Sequence, residues 1–112
     1  MYILVDLNLR TVEFEEPDDT RRFHVSVAHG DDIDAAAEVL KANDIGYVEV
    51  NDDDENAWIS VDAVTEMASG RTKPGWESHF EKMLAGAKKH GWLSEDGTHI
   101  RAHLDWIDVD GV

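Results

Sequence analysis

The sequence contains no cysteine among its 112 residues. Disulfide bonds, thiolate metal sites and thiol redox catalysis are therefore all excluded. Only two prolines are present, and no repeat or low-complexity linker divides the chain. A chain of this length can bury about two-thirds of its unfolded surface as one ordinary domain. We therefore expect a single domain over residues 1–112.

Basic residues are also scarce, with 10 Lys and Arg against 25 Asp and Glu, for a formal net charge of −15. Most of this charge lies in residues 1–66, which hold 18 of the acidic residues, whereas residues 67–112 are nearly neutral. Such a field repels nucleic acid and anionic membranes and attracts basic partners. The acidity indicates either solubility and salt adaptation, or a surface that mimics nucleic acid or blocks a basic site.

Long apolar runs are missing as well. The opening residues, "MYILVDLNLR", reach Asp6 after a short apolar run and have no basic leader. This is too short for a membrane span and unlike a signal peptide. We expect a soluble cytoplasmic protein.

Alternating hydrophobicity predicts strands in the first part of the chain. Ile3, Val5, Leu7 and Leu9 share one face, and a change of parity near residues 10–11 indicates a bulge, a bend or two strands. In residues 21–29, Phe23, Val25 and Val27 point inward while His24 and Ser26 point outward. We expect an antiparallel meander here.

Helical periodicity appears in three segments. Apolar residues at helical spacing predict helices over residues 32–43 and 74–90, with Gly91 and Trp92 forming the exit of the second. A short helix is expected over 62–69, a hairpin over 45–61 and a strand over 99–106. The order of elements favours an α+β two-layer domain, in which an antiparallel or mixed sheet of about five strands carries the helices on one face.

A set of motifs covers residues 57–106: "AWISVDAV", then "GWESHFEKMLAGAKKHGW", then "GTHIRAH". This set resembles a group of small, uncharacterised bacterial proteins. The resemblance implies a fold and no catalytic residue. The four tryptophans, Trp58, Trp76, Trp92 and Trp106, fall at positions expected to be buried.

The histidines and the acids near the turns do not have the spacing of a metal site. His99 and His103 share a strand face but stand roughly 13 Å apart, too far to bind one ion alone. The segment "DDDENAWISVDA" resembles a calcium loop, but Ala57 and Ala63 occupy the positions that need glycine and a bidentate glutamate. No nucleophile elbow or phosphate loop is present. We expect no metal, no cofactor and no catalytic residue.

Two hypotheses remain. The first is a non-enzymatic interaction or inhibitor module that binds a basic partner through the acidic half, at Asp31, Asp32, Asp52, Asp53, Asp54 and Glu55. The alternative is a small-molecule binding or hydrolytic domain with a pocket around His99, Arg101 and His103, in which Arg101 holds a carboxylate or phosphate and a histidine moves a proton.

Overall fold

The computed structural model describes residues 1–50 and 54–107, which form one mixed sheet and three helices. In chain order the elements are β1 (Tyr2–Asp6), β2 (Thr11–Glu15), β3 (His24–Ala28), α1 (Ile33–Ala42), β4 (Gly46–Val50), β5 (Glu55–Ser60), α2 (Val61–Ala68), α3 (Trp76–Lys89) and β6 (His99–Ile107). The strands lie in the order β2-β1-β3-β6-β5-β4. The predicted α+β class with a mixed sheet is confirmed, with six strands where about five were expected.

The pairing of β3 differs from the expected meander. β1 and β2 are antiparallel, but β3 pairs with the other edge of β1 in parallel, so that Val25 lies opposite Ile3. β6 is in turn parallel to β3 and antiparallel to β5. The prediction of an antiparallel meander was wrong because residue alternation fixes which face is buried and carries no information on strand direction.

The parity change near residue 10 is a turn between two strands. The Asp6 carboxylate accepts hydrogen bonds from the backbone amides of Asn8 and Leu9, and Arg10 adopts a left-handed conformation with φ of 55°. Leu9 is 72% exposed in this turn. The expectation that Leu9 continues the buried face was therefore wrong.

One face of the sheet is covered by the helices. It carries Ile3, Val5, Phe14, Val25, Val27, Ala57, Ile59, Ile100, Ala102 and Leu104, all buried. They share one core cluster with helix residues such as Leu40 of α1, Val64 of α2 and Phe80 of α3. Burial of apolar area here is the main source of stability.

The opposite face is called the open face below. It carries Tyr2, Leu4, Asp6, Glu13, Glu15, His24, Ser26, Ala28, Tyr47, Glu49, Asn56, Trp58, Ser60, His99, Arg101, His103 and Asp105. Apart from Ser26, Ala28 and Asn56, these side chains are partly or fully exposed. Ser26, expected to point outward, is on this face but buried, because β3 is a central strand between β1 and β6.

Helix ends follow the local sequence. Asp32 caps α1 by accepting from the amides of Asp34 and Ala35, which satisfies otherwise free donors. α3 begins at Trp76, after a left-handed Gly75 with φ of 90°, so the helix starts later than the expected residue 74. At its other end Gly91 is left-handed and the amide of Trp92 donates to the carbonyl of Ala87, as a helix exit requires.

The tryptophans divide into three environments. Trp76 is buried, Trp58 and Trp106 are half-buried, and Trp92 is 48% exposed. The expectation of a position on the buried face was wrong for Trp58, which lies half-buried on the open face. It was also wrong for Trp92, which follows the end of α3 and has its ring stacked on exposed His90 with centroids 4.7 Å apart. Within the described residues no helix is both long and apolar enough to cross a bilayer.

Candidate functional site

A pocket of about 280 Å³ opens beside β6, and is called the Arg101 pocket below. It is lined by Phe23, Asp54, Asn56, Trp92, Arg101 and His103. β5 and β6 supply Asn56, Arg101 and His103, since Asn56 lies opposite His103 in their antiparallel pair. Trp92 reaches the same place because the amide of Arg101 donates to its carbonyl oxygen at 2.7 Å.

Two buried nitrogen donors in this pocket lack partners. Neither Nε of Arg101 nor Nδ2 of Asn56 has a hydrogen-bond partner among the described residues. Asn56 itself is only 7% exposed. A buried donor left unpaired costs about 1–3 kcal/mol, so both positions call for an explanation beyond packing.

Arg101 also faces one acid. Its NH2 atom lies 4.0 Å from Oδ2 of Asp54, and the Asp54 side chain is 65% exposed at the rim. Because Asp54 is exposed and the separation is at the limit of an ion pair, this contact contributes about 0–1 kcal/mol. The pocket therefore offers a cation, an amide, an imidazole and a carboxylate within a partly aromatic wall.

The three residues of the pocket hypothesis lie in two places. Arg101 and His103 line the same pocket. His99 lies against a different depression, where its ring is 5.4 Å from that of Tyr47 and its Nδ1 is 2.8 Å from the Thr98 hydroxyl. The sequence did not single out Asn56, Trp92 or Phe23 as site residues, because their convergence depends on strand pairing.

The acidic residues of the first hypothesis have varied surroundings. Asp31 is exposed before α1, and the Asp32 carboxylate is engaged as the helix cap. Asp54 faces Arg101, and Glu55 accepts a hydrogen bond from Nε1 of Trp106 at 2.9 Å. Asp52 and Asp53 lie outside the described residues. Three of the four described acids thus have contacts within the chain.

A second group of acids lies on the open face. Among its described strand residues, the carboxylates are Asp6, Glu13, Glu15, Glu49 and Asp105, and Arg101 is the single Lys or Arg. Asp6 lies 3.9 Å from Nε2 of His29. Their strand parity, opposite to that of the buried residues, is the sequence signal that could have identified them.

Aromatic rings are interspersed with these acids. Tyr2 and His24 stack in parallel on neighbouring strands with centroids 5.0 Å apart. Burial lowers the pKa of the His24 imidazole, with Asp105 acting in the opposite direction. Burial also raises the pKa of Tyr2, helped by Glu15. The open face is therefore acidic and partly aromatic.

The turn between α3 and β6 is held by Asp96. Its Oδ1 accepts from the hydroxyl of Ser94 and from both the amide and the hydroxyl of Thr98. These hydrogen bonds lower the pKa of Asp96 to about 2. The residues "SEDGT" thus form a turn that joins α3 to β6.

No group of three or more His, Asp or Glu side chains among residues 1–50 and 54–107 is arranged to hold a metal ion.

Comparison of the chain with models of known protein families, with curated protein sequences and with solved structures finds no significant match.

Proposed function

We propose that this protein is a non-enzymatic binding module that docks a basic protein partner on its open face. The observation that carries the proposal is the charge of that face, where five carboxylates accompany one guanidinium on a surface that no described helix covers. Charge complementarity of this kind steers encounter and selects partners.

Aromatic side chains on the same face offer contact surfaces for a bound partner. Tyr47 is 51% exposed on β4, and the stacked Tyr2 and His24 lie across the sheet on β1 and β3. Aromatic residues are enriched in the energetically dominant parts of protein interfaces. Tyr2, His24 and Tyr47 lie on strands whose backbone is already fixed by the sheet, so little backbone conformational entropy is lost when a partner binds.

The described acids named from the sequence lie at one end of the sheet, where Asp54 lines the Arg101 pocket and Glu55 shares the strand parity of Ala57 on the covered face. β3 ends just before Asp31, and β5 begins at Glu55 at the same end, since β5 is antiparallel to β6 and β6 is parallel to β3. In this proposal Asp31, Asp32, Asp54 and Glu55 extend the negative field, and the strand acids make the contacts.

A cytoplasmic location is part of the same proposal, and fractionation of host cells tests it.

The experiment compares two variants of equal net charge. One carries Glu13→Gln, Glu15→Gln and Asp105→Asn on the open face, and the other carries Glu66→Gln, Glu81→Gln and Glu95→Gln at exposed positions elsewhere. Each is used with the wild-type chain to capture proteins from host lysate at low salt. The affinity of each captured basic protein is then measured over a range of ionic strength.

The expected result is a basic partner whose affinity falls with salt and falls about tenfold or more in the open-face variant, while the control binds as the wild type does. Equal loss in both variants would show that only net charge matters. Capture that is unaffected by salt or by either variant would overturn the proposal.

A further inference from the structure

The Arg101 pocket combines features that a docking surface does not need. Arg101 and Asn56 supply two buried donors without partners in the described chain, and Asp54 supplies an acceptor 4.0 Å from the guanidinium. Native proteins pair nearly all buried polar groups, so unpaired donors lining a pocket point to an absent ligand or ordered water. Because these two donor atoms are buried from solvent, a ligand must place a hydrogen-bond acceptor deep in the pocket to reach them.

The electrostatics of the pocket argue against an anionic ligand. Asp54 already faces the guanidinium, and the chain as a whole carries a formal charge of −15. Both the Asp54 carboxylate and the net negative charge of the chain would repel a ligand that carries a carboxylate or phosphate. A neutral ligand that brings an acceptor for Arg101 and Asn56 and an N–H donor for Asp54 would satisfy all three groups without a charge penalty.

The aromatic wall restricts the shape of this ligand. Trp92, a residue that is 48% exposed, lines the pocket and has its ring stacked on that of exposed His90. Phe23 lines it as well and packs against the core. Flat rings stack on such side chains, each base–aromatic stack contributing about 1–3 kcal/mol.

From these features we propose that the Arg101 pocket binds a neutral planar heterocycle that carries a ring carbonyl next to N–H donors. Guanine is the representative ligand of this class. Arginine pairs well with the O6 and N7 acceptors of guanine, and a carboxylate accepts from its ring and amino N–H groups. The pocket takes the free base or nucleoside, because the net charge of the chain repels a polynucleotide. The inference does not depend on the proposed docking of a protein.

The test is a titration of ¹⁵N-labelled protein with three probes, followed at the indole N–H of Trp92 and the Nε–H of Arg101. Guanosine presents the neutral heterocycle, guanosine monophosphate adds a charged phosphate, and benzoate is a planar anion. The expected result is saturable binding of guanosine at both reporters, weaker binding of the monophosphate and no binding of benzoate. Tighter binding of benzoate than of guanosine, or no shift at millimolar guanosine, would overturn the proposal.

Variants at exposed positions locate the binding without threatening the fold. Asp54→Asn and Trp92→Leu are each expected to weaken guanosine binding about tenfold, through loss of a charged acceptor and of a stacking surface. Their controls are Asp62→Asn and Tyr47→Leu, which change an exposed acid and an exposed ring away from the pocket. Equal weakening in variant and control would also contradict the assignment, and circular dichroism checks that all four fold.

Discussion

The indole Nε1 of Trp76 donates a hydrogen bond to the backbone carbonyl of Pro17 at 2.6 Å, which joins the first residue of α3 to the turn after β2. Next to it, the backbone amide of Lys73 donates to the Asp18 carboxylate at 2.9 Å. Trp76 also stacks on Phe80 with ring centroids 4.8 Å apart. These contacts fix α3 against the sheet, and α3 in turn positions Trp92 at the Arg101 pocket.

We predict that Trp76→Phe lowers the free energy of unfolding by about 1–2 kcal/mol, because the ring stacking is kept while the Pro17 carbonyl loses its donor. Urea unfolding measures this change. The control Trp92→Phe alters an exposed ring and should change stability by less than about 0.5 kcal/mol. Similar losses in both variants would mean that the hydrogen bond to Pro17 does not anchor the helix.

Two glycines in different settings should respond in opposite directions to alanine. A Cβ at Gly46 would clash with the backbone carbonyl of Trp58 on the paired strand, whereas one at Gly86 in α3 would meet open space. We predict that Gly46→Ala destabilises the fold by about 2 kcal/mol, through forced displacement of β5. Gly86→Ala should stabilise it by up to about 1 kcal/mol, because glycine is a poor helix former. Thermal and urea unfolding of the pair check both signs.

The pKa of His24 makes stability depend on pH in a defined direction. Burial lowers this pKa below the ordinary value of 6.5, so the unfolded chain takes up the proton first as pH falls. Stability from neutral His24 is complete above pH 6.5 and is lost as pH falls from there towards the folded pKa. We predict that His24→Gln reduces the loss of stability between pH 7.5 and 5.5.

Urea unfolding at the two pH values gives this comparison, with His79→Gln on an exposed face of α3 as the matched control. The His24 variant should show a shallower fall in stability than the control. A steeper fall in the His24 variant than in the control would mean that the folded state favours the charged imidazole, which contradicts the role of burial.

Residue patterns predicted most of the local structure. The alternation of Val25 and Val27 and the helical spacing of Trp76 and Phe80 correctly identified buried faces, because burial acts on each element directly. The parallel pairing of β3 with β1 was not predictable from alternation, since strand direction depends on how the connection after β2 crosses the sheet. The prediction that Leu9 is buried was wrong for a similar reason, because the turn stabilised by the Asp6 carboxylate removes Leu9 from the strand.

The candidate site was only partly predictable. Arg101 and His103 were named from the sequence because they alternate with buried residues on one strand. Asn56 joins them only through the register between β5 and β6, and Trp92 only through its backbone contact with Arg101. Nothing in the local pattern around either residue encodes these distant contacts.

The most direct test of the central claim is amide chemical-shift mapping of the ¹⁵N-labelled protein with the basic partner that it captures. The account predicts the largest shifts on the open face, at Glu13, Tyr47, His103 and Asp105, with little change along the exposed sides of α2 and α3. Shifts concentrated at Glu66 and Glu81 on those helices, with the strand acids unaffected, would contradict it.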